Sequence, residues 1–277
     1  MMGRLVVVEM RRALARRMVR VLILLAVVAS LVVGLIVYLN AQSVDDTTAT
    51  GRPAFVDPDD PAFLVNLWPE GEGEGILLTG GLFLIMGGLV AGASTVGAEW
   101  RAGTITTWLT WEPRRTRLLT AKFVAAAVLA AVIAFLLLAM YVAAFLPTPL
   151  LKGSTEGADA GWLVGLVGAA SRMAVVTGLA ALLGAAVATV GRNTTAAIGV
   201  LFGWVAVAEP LVRALKPAWQ HWLLSENIGR FVSAQPLGGV SHEASTAGAL
   251  LQLVLYIGLV VVGATVLFRR RDVAATA

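Results

Sequence analysis

The side chains best suited to specific polar contacts fall in one stretch, residues 97–122. It holds Glu99, Trp100 and Arg101, then Gly103, Thr104 and Thr107, then the cluster Arg114, Arg115 and Arg117. Carboxylate, guanidinium and hydroxyl groups at this density suit charge-assisted docking of a partner, which needs fixed geometry but neither a nucleophile nor a metal. Trp108, Leu109 and Trp111 add an apolar face, and Pro113 interrupts the helix before the chain continues. Catalytic residue sets are absent. The 277 residues contain no cysteine, which excludes disulfides and thiolate metal sites. The two histidines, His221 and His242, form no His-Glu-x-x-His motif and read as solvated loop residues. No Gly-x-x-x-x-Gly-Lys-Ser/Thr phosphate loop occurs, so the chain is expected to be neither an ATPase nor any other enzyme, and to bind no cofactor or metal.

Two further charges stand out because their surroundings are apolar. Arg172 lies about a third of the way into a long hydrophobic run, and Glu209 precedes Pro210 near the end of another. A charge deep in a bilayer costs several kcal/mol unless it finds a partner, by insertion-type scales of about 3 kcal/mol. Arg172 reads as a residue at the outer boundary of a span that begins near Met173. The alternative is a residue of a transport path or dimer interface. Glu209 is expected to cap the end of its span or to pair with Arg213.

The elements that must position these groups are helices in lipid. Six apolar stretches, 21–39, 76–96, 123–146, 163–190, 196–215 and 247–268, each meet the roughly 20 residues a helix needs to cross the hydrocarbon core. They lack the alternation of barrel strands. Hydrophobic residues make up 58% of the chain and charged residues 14%, well below the roughly 25% charged content of soluble domains. Fifteen of the 21 cations fall on one side if six helices alternate. They are Arg4, Arg11, Arg12, Arg16, Arg17, Arg20, Arg101, Arg114, Arg115, Arg117, Lys122, Arg192, Arg269, Arg270 and Arg271. The positive-inside rule puts that side, with both termini, in the cytoplasm. The clusters read as topogenic and lipid-binding; spread along membrane boundaries without a reader motif, they do not suit nucleic acid.

The flanking segments complete an all-α plan of one domain, residues 1–277. In 1–20, Val6, Met10, Leu14 and Met18 recur every four residues, with Glu9, Arg12, Arg16 and Arg20 on the opposite face, which predicts an interfacial helix. Residues 41–75 form a Pro- and Glu-rich polar loop, within which Phe63, Leu64, Leu67 and Trp68 are expected at the outer interface. Residues 216–245 open with Pro217 and carry Trp219 and Trp222, which predicts a short outer helix before the last span. The second span is rich in small residues, including Gly88 and Gly92, and Gly184 and Ala188 form a similar pair in the fourth. Such pairs bring helices into close packing, within one subunit or between two.

Glu99-Trp100-Arg101, Gly103-Thr104, Pro113-Arg114-Arg115 and Ala121-Lys122 together resemble the pattern of the type-two ABC exporter permeases of bacteria. Gly191-Arg192-Asn193 followed by Ala196-Ala197-Ile198, and Glu209-Pro210, are further matches. The resemblance covers the whole chain in topology and rests mainly on 97–122. It implies an elbow helix at 1–20, a cytoplasmic coupling helix at 97–118 and a multi-pass location in the bacterial cytoplasmic membrane. It implies that Glu99, Arg101, Gly103, Thr104, Thr107, Arg114, Arg115, Arg117 and Arg192 meet a separate ATPase subunit, which would carry ATP and Mg. It implies a second permease chain, a homodimer in preference to a heterodimer. Phe83, Met86, Phe202 and Trp204 become candidates to line a path for an apolar or amphipathic substrate. The rival readings are a six-span secondary transporter or channel, which calls for ionisable groups and broken helices near the midplane, and a non-transport scaffold.

Overall fold

The computed structural model of the chain describes residues 2–41, 63–68, 76–105, 107, 114–233 and 245–270. These form an all-α bundle. Helix α1 (Met2–Ala15) is followed by α2 (Arg17–Asn40), α3 (Ile76–Arg101), α4 (Arg115–Phe145) and the single turn α5 (Pro147–Leu151). Then come α6 (Ala160–Gly191), α7 (Thr194–Gly203) and α8 (Glu209–Leu215), with a π-helical turn, Trp204–Ala208, joining the last two. A short 3-10 helix (Pro217–Trp222) leads to α9 (Leu224–Ser233), and α10 (Thr246–Arg270) ends the described chain.

Among the described residues, six helical segments are long and apolar enough to cross a membrane: α2, α3, α4 with α5, α6, α7 through α8, and α10. The chain is a multi-pass membrane protein. The apolar runs form helices because lipid offers no partner for backbone N–H and C=O groups. Their ends extend past the hydrophobic runs. Helix α3 continues through Gly97–Arg101 until Gly103 takes a left-handed conformation (φ 65°), and α4 begins at Arg115, well before Phe123. The first five residues of the expected coupling segment are therefore the last turn of the second span. The remainder of that segment is described only at 102–105, 107 and 114–118; Trp108, Leu109, Trp111 and Pro113 lie outside the described residues.

Helix α6 is the central post, packed by α3, α4 and α10. Asp159 caps its start by accepting from Trp162 N at 2.8 Å, and Arg192 closes it with φ 51°. Alanine and glycine on α6 let α3 approach closely. A Cβ at Gly88 would lie 2.6 Å from Thr177 Cγ2, and one at Gly92 or Gly184 would collide with backbone of Ala181 or Leu89. The Gly88 and Gly92 pair of the second span is thus consumed inside one chain.

One core cluster, around Leu77, Ile85, Leu138, Met173 and Leu253, fills the bundle's middle and one end. A second, around Val96, Leu119, Phe123, Ala185 and Phe268, fills the other end, where the cations gather. Of residues 63–68, expected at the outer interface, Phe63, Leu64 and Trp68 are half-buried against Ser154 and the start of α6, at the end away from the cations. Leu67 is buried, Leu64 N donates to Ser154 O at 3.0 Å, and Trp162 Nε1 donates to Val65 O and Trp68 O at 3.2 and 3.1 Å. The indole N–H of Trp162 needs acceptors once buried, and the segment supplies them.

Candidate functional site

At the basic end, the polar face of α1 turns toward the bundle. Val7, Val8 and Leu14 are exposed, while Glu9 and Ala13 are buried. Arg16 sits in an extended break between α1 and α2 (φ -67°, ψ 131°), which aims its guanidinium at the last turns of α3. It donates to Ser94 O at 3.1 Å, to Thr95 O at 3.0 Å and to Glu99 Oε1 at 2.7 Å. From α4, Lys122 Nζ lies 2.8 Å from Glu9 Oε2 and 2.9 and 2.8 Å from the two oxygens of Glu99. Arg12 closes the cluster with Glu9 at 2.6 Å and Glu99 at 3.5 Å. Two carboxylates thus meet three cations, joining α1, α3 and α4.

Glu99 is 3% exposed and Lys122 also 3%. The expectation that Glu99 faces a partner is corrected: it sits in the last turn of a transmembrane helix and points at Arg16 and Lys122. Buried charges need such partners, because desolvation alone costs several kcal/mol per ion. The polar face of α1 supplies Glu9, Arg12 and Arg16 to the cluster, while Arg20 of the same face stays exposed.

Above this cluster the other expected docking residues are on the surface. Arg101, Gly103, Thr104, Thr107, Arg114 and Arg192 are exposed, and Arg115 and Arg117 are half-buried. Arg192 stacks over Trp100, its guanidinium carbon 4.7 Å from the ring centroid, and Trp100 meets the edge of Phe268 at 6.1 Å. Asn193 then starts α7 by accepting from Thr195 N at 2.8 Å. The basic end is therefore one assembly of α1, the end of α3, the start of α4, the α6–α7 turn and the end of α10.

The opposite end contains a helix held by charge at both termini. Glu209, 1% exposed, accepts from Leu224 N at 2.9 Å and from Ser225 N at 3.1 Å, and also from the Ser225 hydroxyl. Those amides open α9, where the helix dipole is positive. Trp204 Nε1 donates to the same carboxylate at 3.1 Å. At the other terminus of α9, Arg172 Nε donates to Val232 O at 3.1 Å, where the dipole is negative. The π turn at Trp204–Ala208 brings the Trp204 ring back to Glu209. Within α9, Glu226 pairs with Arg230 at 3.2 Å, and Arg213 approaches Glu226 at 3.6 Å.

Both isolated charges are thereby accounted for. Arg172 lies within the continuous helix α6 and donates to a backbone carbonyl. Glu209 caps α9 and does not pair with Arg213, which goes to Glu226. Of the four candidate path residues, Phe83 lines a groove beside α2, Met86 is half-buried, Phe202 is exposed, and Trp204 is committed to Glu209. Among the described residues, no group of three or more His, Cys, Asp or Glu side chains is arranged to hold a metal ion.

A family model described as a protein of unknown function, DUF2705, matches residues 60–274, and the chain belongs to that family. Comparison with curated proteins finds no match.

Proposed function

We propose that this member of the family is the membrane-spanning permease subunit of an ABC-type exporter, with ATP hydrolysed by a separate chain at its basic end. The observation that carries the reading is the exposed strip of Arg101, Gly103, Thr104, Thr107, Arg114 and Arg192, standing on a base of buried ion pairs. A docking surface transmits force only if it is fixed to the helices that must move. Here Glu99 and Lys122 fasten α3 and α4 to each other and to α1 through Arg16 and Glu9. A partner that pushes on the strip would displace α1, α3 and α4 together.

Charge supports the same reading. The strip is cationic and lies where the positive-inside rule puts the cytoplasm. An acidic groove on an ATPase chain would be steered to it and oriented by it. The bundle's outer faces are apolar, in keeping with an apolar or amphipathic cargo. In this reading Glu99 acts from within the bundle, holding the strip in place, and the contacts to the partner fall to Arg101, Arg114, Arg115, Arg117 and Arg192.

The test is purification of the tagged chain, with its neighbouring chains, from its native membrane in mild detergent. The expected result is an associated chain bearing a phosphate-binding loop, with ATPase activity in the pure complex. Arg101→Glu combined with Arg114→Glu should release that chain while the permease still inserts. A preparation free of any ATPase chain, with ATP hydrolysis absent, contradicts the proposal.

A further inference from the structure

The two sides of α1 have different neighbours. On the inner side Glu9 and Ala13 are buried, and Glu9, Arg12 and Arg16 are held in the ion cluster. Those bonds lay α1 across the basic ends of α3 and α4. Arg16 reaches Ser94 O and Thr95 O on α3, while Glu9 reaches Lys122 on α4. Only Arg16 separates α1 from α2, whose exposed apolar residues begin at Val21. Helix α1 is thereby kept at the level where the first span enters hydrocarbon, which is the membrane surface.

The outer side of α1 is exposed. At 3.6 residues per turn, Arg4 and Arg11 share a stripe on the side away from Glu9 and Ala13, about 10 Å apart. Val7 and Leu14, spaced in the same way, form an apolar stripe beside it, and all four residues are exposed. Arg17 continues the cationic surface onto α2. It shares a stripe with Leu24 and Leu31, both exposed, so it heads the lipid-facing side of that span. Among the described residues, no carboxylate pairs with Arg4, Arg11 or Arg17.

We propose that α1 and the start of α2 form a docking surface for anionic phospholipids of the leaflet at the basic end. Arg4, Arg11 and Arg17 meet the headgroup phosphates, and Val7 and Leu14 enter the acyl chains. Cations beside an apolar stripe, held at the membrane surface, match charged headgroups above hydrocarbon. An acidic protein groove would suit the arginines, but the stripe headed by Arg17 runs on into hydrocarbon at Leu24, where no soluble partner can follow. The carboxylates Glu9 and Glu99 neutralise the inner cations of α1 and leave the outer ones to lipid. This inference rests on the membrane-spanning fold and does not depend on the exporter reading.

The test uses the full chain, which has no cysteine of its own, in phosphatidylcholine vesicles containing phosphatidylglycerol. Nitroxides on single cysteines at positions 7 and 14 should collide with oxygen and be shielded from a water-soluble nickel chelate, as at position 24. A nitroxide at position 192 should show the reverse. A bimane at position 14 should be quenched more by brominated phosphatidylglycerol than by brominated phosphatidylcholine. Arg4→Gln combined with Arg11→Gln should lower that preference by about fivefold for each arginine removed. Arg269→Gln combined with Arg270→Gln, exposed at the same end on α10, should leave it unchanged. The nitroxide readout alters no arginine of α1 or α2, so it stands even if the double variant folds poorly. Nickel-accessible nitroxides at both 7 and 14, equal quenching by the two lipids in the unaltered chain, or an equal loss in the α10 variant would each overturn the proposal.

Discussion

Glu99→Gln keeps the length and shape of the side chain and removes one of the two negative charges that face Arg12, Arg16 and Lys122. Deleting one partner of a buried ion pair costs about 3–5 kcal/mol, because the other charge is left uncompensated. Here the loss is partial. Arg16 retains its bonds to Ser94 O and Thr95 O, and Lys122 retains Glu9. The lower end, about 3 kcal/mol, is therefore expected, a factor of roughly a hundred in the folding equilibrium. Arg101→Gln, two positions on but exposed, should change stability by no more than about 0.5 kcal/mol. Unfolding of the purified chain in lipid–detergent micelles can be followed by tryptophan fluorescence, with eight tryptophans as reporters. Proteolysis at α1 gives a second readout, since loss of Glu99 frees that helix from α3. Adding Lys122→Met to Glu99→Gln should recover part of the loss by removing the orphaned cation. Equal stability of Glu99→Gln and Arg101→Gln, or α1 staying equally protected in both, would mean that Glu99 does not hold α1 to α3.

Three other outcomes follow from the geometry. Glu209→Ala removes the acceptor of three N–H groups and a hydroxyl, so α9 should loosen at a cost of about 2 kcal/mol, the usual worth of hydrogen bonds to a charged group; amide exchange within Leu224–Ser233 should accelerate while α3 stays protected. Gly88→Leu should destabilise the monomer by about 1–3 kcal/mol or prevent its folding, because Thr177 already occupies the space. Gly199→Leu, which meets nothing within 4 Å, should be tolerated within about 0.5 kcal/mol, and equal sensitivity at the two sites would refute the packing described. Cysteines placed singly in this cysteine-free chain should react with an impermeant reagent from outside at position 156 and be shielded at position 192, and the reverse pattern would invert the topology.

The spans were legible because hydropathy is a property of each segment alone. Their ends were less so. Residues 97–101 and 115–122 are polar enough to look like loop, yet they continue helices whose charges are satisfied by each other. The ion cluster left only faint marks in the sequence. Glu9 and Lys122 are far apart in the chain, and nothing local pairs them; a lone glutamate in an arginine-rich helix was the available hint. Arg172 and Glu209 were conspicuous as charges in apolar runs. Their partners were not, since the carbonyl of Val232 and the amides of Leu224 and Ser225 are backbone groups that no side-chain pattern announces. The glycines of the second span were legible as packing residues, but only the close approach of Thr177 and Ala181 shows that they pack within the chain.

The basic end is proposed as the seat of an ATPase chain. Thr104 and Thr107 are exposed there, and a cysteine at either would be unique in the chain. With a short thiol-directed photocrosslinker attached at position 104 or 107, the expected result is covalent capture in native membranes of a chain that carries a phosphate-binding loop, lost when Arg101 and Arg114 are reversed to glutamate. Capture of no such chain from either position, with capture instead from a cysteine at position 156 on the opposite end, would contradict it.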